Sequence, residues 1–99
     1  MRLPTVANIQ LNPKGLPQVD TVLRLTGDTS IYFRVYNNRA PLLAVDDEHC
    51  RVVLSVPDPE QVTTTDVDQV RRLAEAIDRY VTELEIRLHE QDMATGQVA

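Results

Sequence analysis

Ninety-nine residues with a net charge of -5 are enough for one domain with a modest core, and the acidic balance argues against a protein that coats nucleic acid or an anionic membrane. The single cysteine, Cys50, excludes an internal disulfide framework and fits a reducing interior. No apolar run approaches the roughly 18 residues of a membrane span, and Met1-Arg2-Leu3-Pro4 lacks the apolar core of a signal peptide, so the expected compartment is the cytoplasm.

The charge is unevenly placed. Residues 1–57 hold six Arg/Lys and five Asp/Glu, a net of +1; residues 58–99 hold four Arg and ten Asp/Glu, a net of -6; together these make the stated -5. The acidity therefore belongs to the C-terminal part, which the sequence pattern reads as helical.

Thr5 to Leu11 reads as a first strand with Thr5, Ala7, Ile9 and Leu11 on one face and Asn8 and Gln10 on the other. Asn12-Pro13-Lys14-Gly15 marks a turn. Val19 to Thr26 and Ile31 to Tyr36 both alternate, and Gly27-Asp28 between them reads as a hairpin. If their apolar faces share a side, paired positions have equal parity, which sets Leu25 opposite Ile31 and Leu23 opposite Phe33.

After a turn at Asn37–Ala40, Pro41 opens a short strand with Leu43 and Val45 facing inward. Asp46 to His49 forms a loop, and Cys50 to Val56 returns with Cys50, Val52, Leu54 and Val56 on one face. Pro57 and Pro59 end the sheet.

From Thr65 to Asp92, Val67, Val70, Ala74, Ile77, Val81, Leu84 and Leu88 recur at steps of 3 and 4, which places them on one stripe of an α-helix. Thr65 is its expected N-cap, with Asp68 three residues on. Asp68–Arg72, Glu75–Arg79 and Glu83–Arg87 are acid-first i,i+4 pairs and read as a solvated face. The fold expected is α+β: an antiparallel four- to five-stranded meander with one long C-terminal α-helix packed on one face, residues 1–92 forming a single domain and 93–99 a flexible tail.

The helix bears on function because it would run roughly 40 Å, whereas strands of six or seven residues reach only about 20–24 Å. Its stripe stays apolar where it would overhang the sheet. A homodimer seamed by Ile77, Val81, Leu84 and Leu88 is the simplest cover. The outward sheet face gathers Arg24, Tyr32, Arg34, Tyr36 and Arg51. Arg and aromatic residues on an open sheet suit a protein partner or, as the alternative, the bases and phosphates of nucleic acid. Cross-strand Arg–Tyr packing that merely steadies a half-exposed sheet explains the same residues.

Asp46-Asp47-Glu48-His49-Cys50 concentrates metal-ligand types, yet no Cys-x-x-Cys or His-x-x-x-His spacing accompanies it, and no metal or other cofactor is expected. Three glycines, widely separated, make no phosphate loop, and no Gly-x-Ser-x-Gly nucleophile elbow is present. The function read from these residues is a small non-catalytic protein-binding or regulatory module, homodimeric through its C-terminal helix; the alternative is a nucleic-acid binder using the Arg/Tyr face.

Overall fold

The computed structural model describes residues 3–94. The class is α+β, with five antiparallel strands followed by one helix. The strands do not form one meander. β1 (Val6–Leu11) and β2 (Pro17–Val22) make a two-stranded hairpin, while β3 (Ser30–Arg34), β4 (Leu42–Asp46) and β5 (Arg51–Leu54) make a separate three-stranded sheet in that order. The chain divides into a unit reaching Gln61 and a unit beginning at Val62.

The β1–β2 turn forms because Asn12 folds the chain around its own side chain. Its Oδ1 accepts the backbone N–H groups of Lys14 and Leu16 at 2.9 and 3.0 Å. Gly15 completes the turn at a φ of 77°, a left-handed conformation that a Cβ would strain. Register pairs Ile9 with Val19 and Asn8 with Asp20, so the hairpin has an apolar side and a polar side. Gln10 and Gln18 both donate to the Asp20 carboxylate on the polar side.

The hairpin expected between residues 19–26 and 31–36 is not formed. β2 ends at Val22 and pairs with β1, and β3 pairs with β4, so Leu23 and Leu25 lie outside every strand. The physical reason is visible at Thr26 and Thr29. Thr29 Oγ1 accepts the Thr26 N–H at 2.9 Å, Thr26 Oγ1 accepts the Asp28 N–H at 3.2 Å, and the Thr29 N–H bonds to the Thr26 carbonyl at 3.1 Å. Groups that a ladder would need are committed to a local turn.

The three-stranded sheet groups its apolar residues on one face as expected although its partners differ, but that face is not the inward one: Ile31 and Phe33 on it are 63% and 70% exposed, and the enclosed Ala44 lies on the other. Ile31 pairs with Val45 and Phe33 with Leu43; on the other side of β4, Val45 pairs with Val52 and Leu43 with Leu54. Those six side chains therefore share one face. The opposite face carries Tyr32, Arg34, Ala44, Arg51 and Val53. Ala44, at the centre, is the most enclosed described residue at 0% exposure, and Ala40 is the other buried hydrophobic. The Ala40 N–H donates to the Pro59 carbonyl at 2.7 Å, which draws the segment after β5 back to the entry of β4.

α1 (Thr64–Ala94) is a helix of 31 residues, about 46 Å long. It starts earlier than Thr65. Thr63 is the cap: its Oγ1 accepts the Asp66 N–H at 3.2 Å while Asp66 Oδ2 accepts the Thr63 N–H at 2.9 Å, a reciprocal capping box. Glu83 Oε1 and Arg87 Nε meet at 3.1 Å across one turn of the solvated face. Met93 and Ala94 are still helical; the remainder of the expected tail, residues 95–99, lies outside the described residues.

Candidate functional site

Three surfaces hold the residues of interest, two in the strand unit and one on the helix.

The first is the Arg/Tyr side of the three-stranded sheet. Alternation along β3 puts Tyr32 and Arg34 on one side, and the register of β5 brings Arg51 to the same side. The Arg34 guanidinium lies 5.4 Å from the centre of the Tyr32 ring. Arg51 forms an ion pair with Asp46, its cross-strand partner, at 3.0 Å. The Asp46 carboxylate holds the Arg51 guanidinium above its ordinary pKa, with a smaller push from Tyr32. Tyr32 thus has the Arg34 guanidinium over its ring, and Arg51 shares its side of the sheet two strands away. Neither Arg24 nor Tyr36 joins this face by a strand register. Tyr36 follows β3 and takes the Arg39 guanidinium over its ring at 4.2 Å. The Arg24 backbone N–H donates to Thr5 Oγ1 at 3.0 Å, next to the hairpin.

The second is an open groove of about 340 Å³ whose walls include Thr5, Arg24, Asp28, Asp47 and His49. Its organising group is Asp47, which the sequence shows as one member of the Asp46–Cys50 run of metal-ligand types. Asp47 Oδ1 accepts the N–H groups of His49 at 2.8 Å and Cys50 at 2.7 Å, and Oδ2 accepts the Thr5 hydroxyl at 2.9 Å. The Asp47 N–H closes the turn on the Cys50 carbonyl at 2.9 Å. These donors, His49 first and Thr5 next, hold the Asp47 carboxyl below the usual carboxylate range. Both oxygens are engaged, so Asp47 acts as a clamp on the β4–β5 turn and on the segment before β1. The Asx-turn pattern could have found the local half of this clamp; Thr5, 42 residues away, has no signal in the sequence. Among the described residues no group of three or more His, Cys, Asp or Glu side chains is placed to hold a metal ion.

The third is the helical stripe. Of the expected seam residues, Ile77, Val81, Leu84 and Leu88 all lie on α1 and all are exposed. Including Val67 and Val70, exposure along the stripe runs from 43% at Val67 to 59% at Val70. No described residue of the helix is buried. Apolar surface left in water costs about 25 cal/mol per Å², and a periodic row of six such side chains is more than scattered exposure. The sheet also shows apolar surface, with Ile31 at 63% and Phe33 at 70% exposure. No helix among the described residues is long and apolar enough to cross a membrane.

No known family model matches this chain, and neither a curated protein nor a solved structure resembles it at a significant level.

Proposed function

We propose that this chain is a small, non-catalytic, cytoplasmic protein-binding or regulatory module that acts as a homodimer joined through Ile77, Val81, Leu84 and Leu88. The observation that carries this reading is the exposed stripe of α1, apolar at steps of 3 and 4 over a helix of 31 residues. Such spacing is what a two-helix seam needs. The strands are four to six residues long and span no more than about 20 Å, less than half the helix. A second copy of the helix matches the stripe along its whole length. The Arg/Tyr side of the sheet, with Tyr32, Arg34 and Arg51 on one face, is the surface offered to a different protein; Arg and Tyr are enriched in such contacts and bind through a rigid ring and a fork of donors.

Light scattering after gel filtration tests the dimer. The wild-type chain is expected as a dimer, and Leu84→Glu, which places a carboxylate in the seam, as a monomer. An oligomer unchanged by Leu84→Glu overturns this seam. A salt titration with a labelled single-stranded oligonucleotide tests the sheet face: affinity that falls steeply with salt and is lost in Arg34→Ala would make nucleic acid the occupant of that face instead of protein.

A further inference from the structure

The stripe has a direction as well as a seam. With Val67, Ala74, Val81 and Leu88 at heptad position a, and Val70, Ile77 and Leu84 at d, the charged residues that flank the seam are fixed. Asp66 and Arg87 stand just before an a residue, at g. Arg71, Asp78, Glu85 and Asp92 stand just after a d position, at e. Leu73 and Tyr80 take the two remaining g positions, so no charge stands there.

In a parallel, in-register pair each g residue meets the e residue five places later on the other helix. Asp66 then meets Arg71, and Arg87, whose Nε bonds Glu83 of its own helix and whose two terminal nitrogens carry further donors, meets Asp92, both opposite in sign. Leu73 and Tyr80 meet Asp78 and Glu85, whose stems they cover without like-charge contact. An antiparallel pair filling the same layers sets e beside e: it brings Arg71 to Glu85, but it also sets the two copies of Asp78 side by side at the centre.

We infer that two copies of this chain join as a parallel, in-register helix pair, oriented by Asp66 with Arg71 and by Arg87 with Asp92. This rests on the dimer reading above and names the arrangement of the partner. Both chains enter the seam from the same end. Asp66 can serve cap and pair together, since Oδ2 accepts the Thr63 N–H while the second oxygen of the carboxylate remains for Arg71.

Disulfide trapping separates the two orientations. In a Cys50→Ser background, Ala74→Cys puts two thiols in one layer of a parallel pair. In the antiparallel pair the copies of residue 74 stand ten residues apart along the axis, about 15 Å, beyond the roughly 7 Å limit for a bridge. The expected result in a glutathione redox buffer is a covalent homodimer of the Ala74→Cys chain. A mixture of Ala74→Cys and Leu84→Cys chains that links only across the two variants, with the mass still dimeric, would overturn the orientation and leave the dimer standing. A monomeric mass for the Cys50→Ser background at every concentration would remove both. Charge reversal gives a second readout on uncrosslinked chains: Arg87→Glu is expected to weaken the dimer roughly tenfold, with recovery on adding Asp92→Arg. Absence of that recovery contradicts the assigned pairs.

Discussion

The strand unit and the helix reach order by opposite routes. The strand unit is held by short polar side chains that bind backbone groups: Asn12 in the β1–β2 turn, Thr26 and Thr29 between β2 and β3, Asp47 in the β4–β5 turn. Beyond its strand ladders it has little else, since among the described residues Ala40 and Ala44 are its buried hydrophobics. The helix satisfies its own backbone along its length and needs a side chain chiefly at its start, where Thr63 and Asp66 close the box. Its open account is the apolar stripe. One region is thus limited by the geometry of its turns and the other by the surface it shows to water. A substitution that hurts one should leave the other's characteristic measurement in place.

The largest effect expected on the helical side is from Leu84→Glu, which should weaken self-association by two orders of magnitude or more, since burying an unpaired carboxylate in a seam costs several kcal/mol. Amide exchange at His49 and Cys50 should be unchanged in that variant, as those protons belong to the Asp47 turn. The reciprocal break is Asp47→Ala. It removes three acceptor contacts at once and should accelerate exchange through the β4–β5 turn while leaving the oligomeric mass as it was.

Acid sharpens the same contrast. Because the donors around Asp47 lower its folded-state pKa, its contribution is complete above the unfolded value of about 4 and is lost as the pH falls through the folded value below that. Protection at His49 and Cys50 should fade on that descent in the wild type, and the pH dependence at those amides should be absent from Asp47→Asn.

Two smaller effects follow. Gly15→Ala forces a Cβ into a left-handed turn and should cost about 1 kcal/mol in denaturant unfolding of the strand unit. Thr63→Ala deletes one half of the capping box and should cost about 1 kcal/mol, read as fraying of residues 64–67 by amide exchange.

How far the sequence showed this depends on the range of the cause. Alternation from residue 42 to 54 correctly put Leu43, Val45, Val52 and Leu54 on one face, because period 2 is a property of each strand alone. The same alternation in residues 19–26 and 31–36 gave faces but no partners. Pairing of β2 with β1 and of β3 with β4 was decided by turns, with Thr26 and Thr29 binding locally where the ladder was expected. The helix start shows a different ambiguity. Thr63–Asp66 and Thr65–Asp68 are the same cap signature two residues apart, and the choice lay in the geometry of the preceding chain. Of the five Arg and Tyr residues gathered by parity, Tyr32, Arg34 and Arg51 share a face of one sheet. Arg24 and Tyr36 fell outside because the strands stop at Val22 and Arg34. Asp47 with Thr5 escaped notice because nothing local ties residue 5 to residue 47.

Sedimentation equilibrium of the unmodified chain over a wide concentration series tests the exposed stripe most directly. Self-association through α1 predicts a mass rising to twice the 11.2 kDa of the chain as concentration increases. A mass that stays at 11.2 kDa across the series would contradict it.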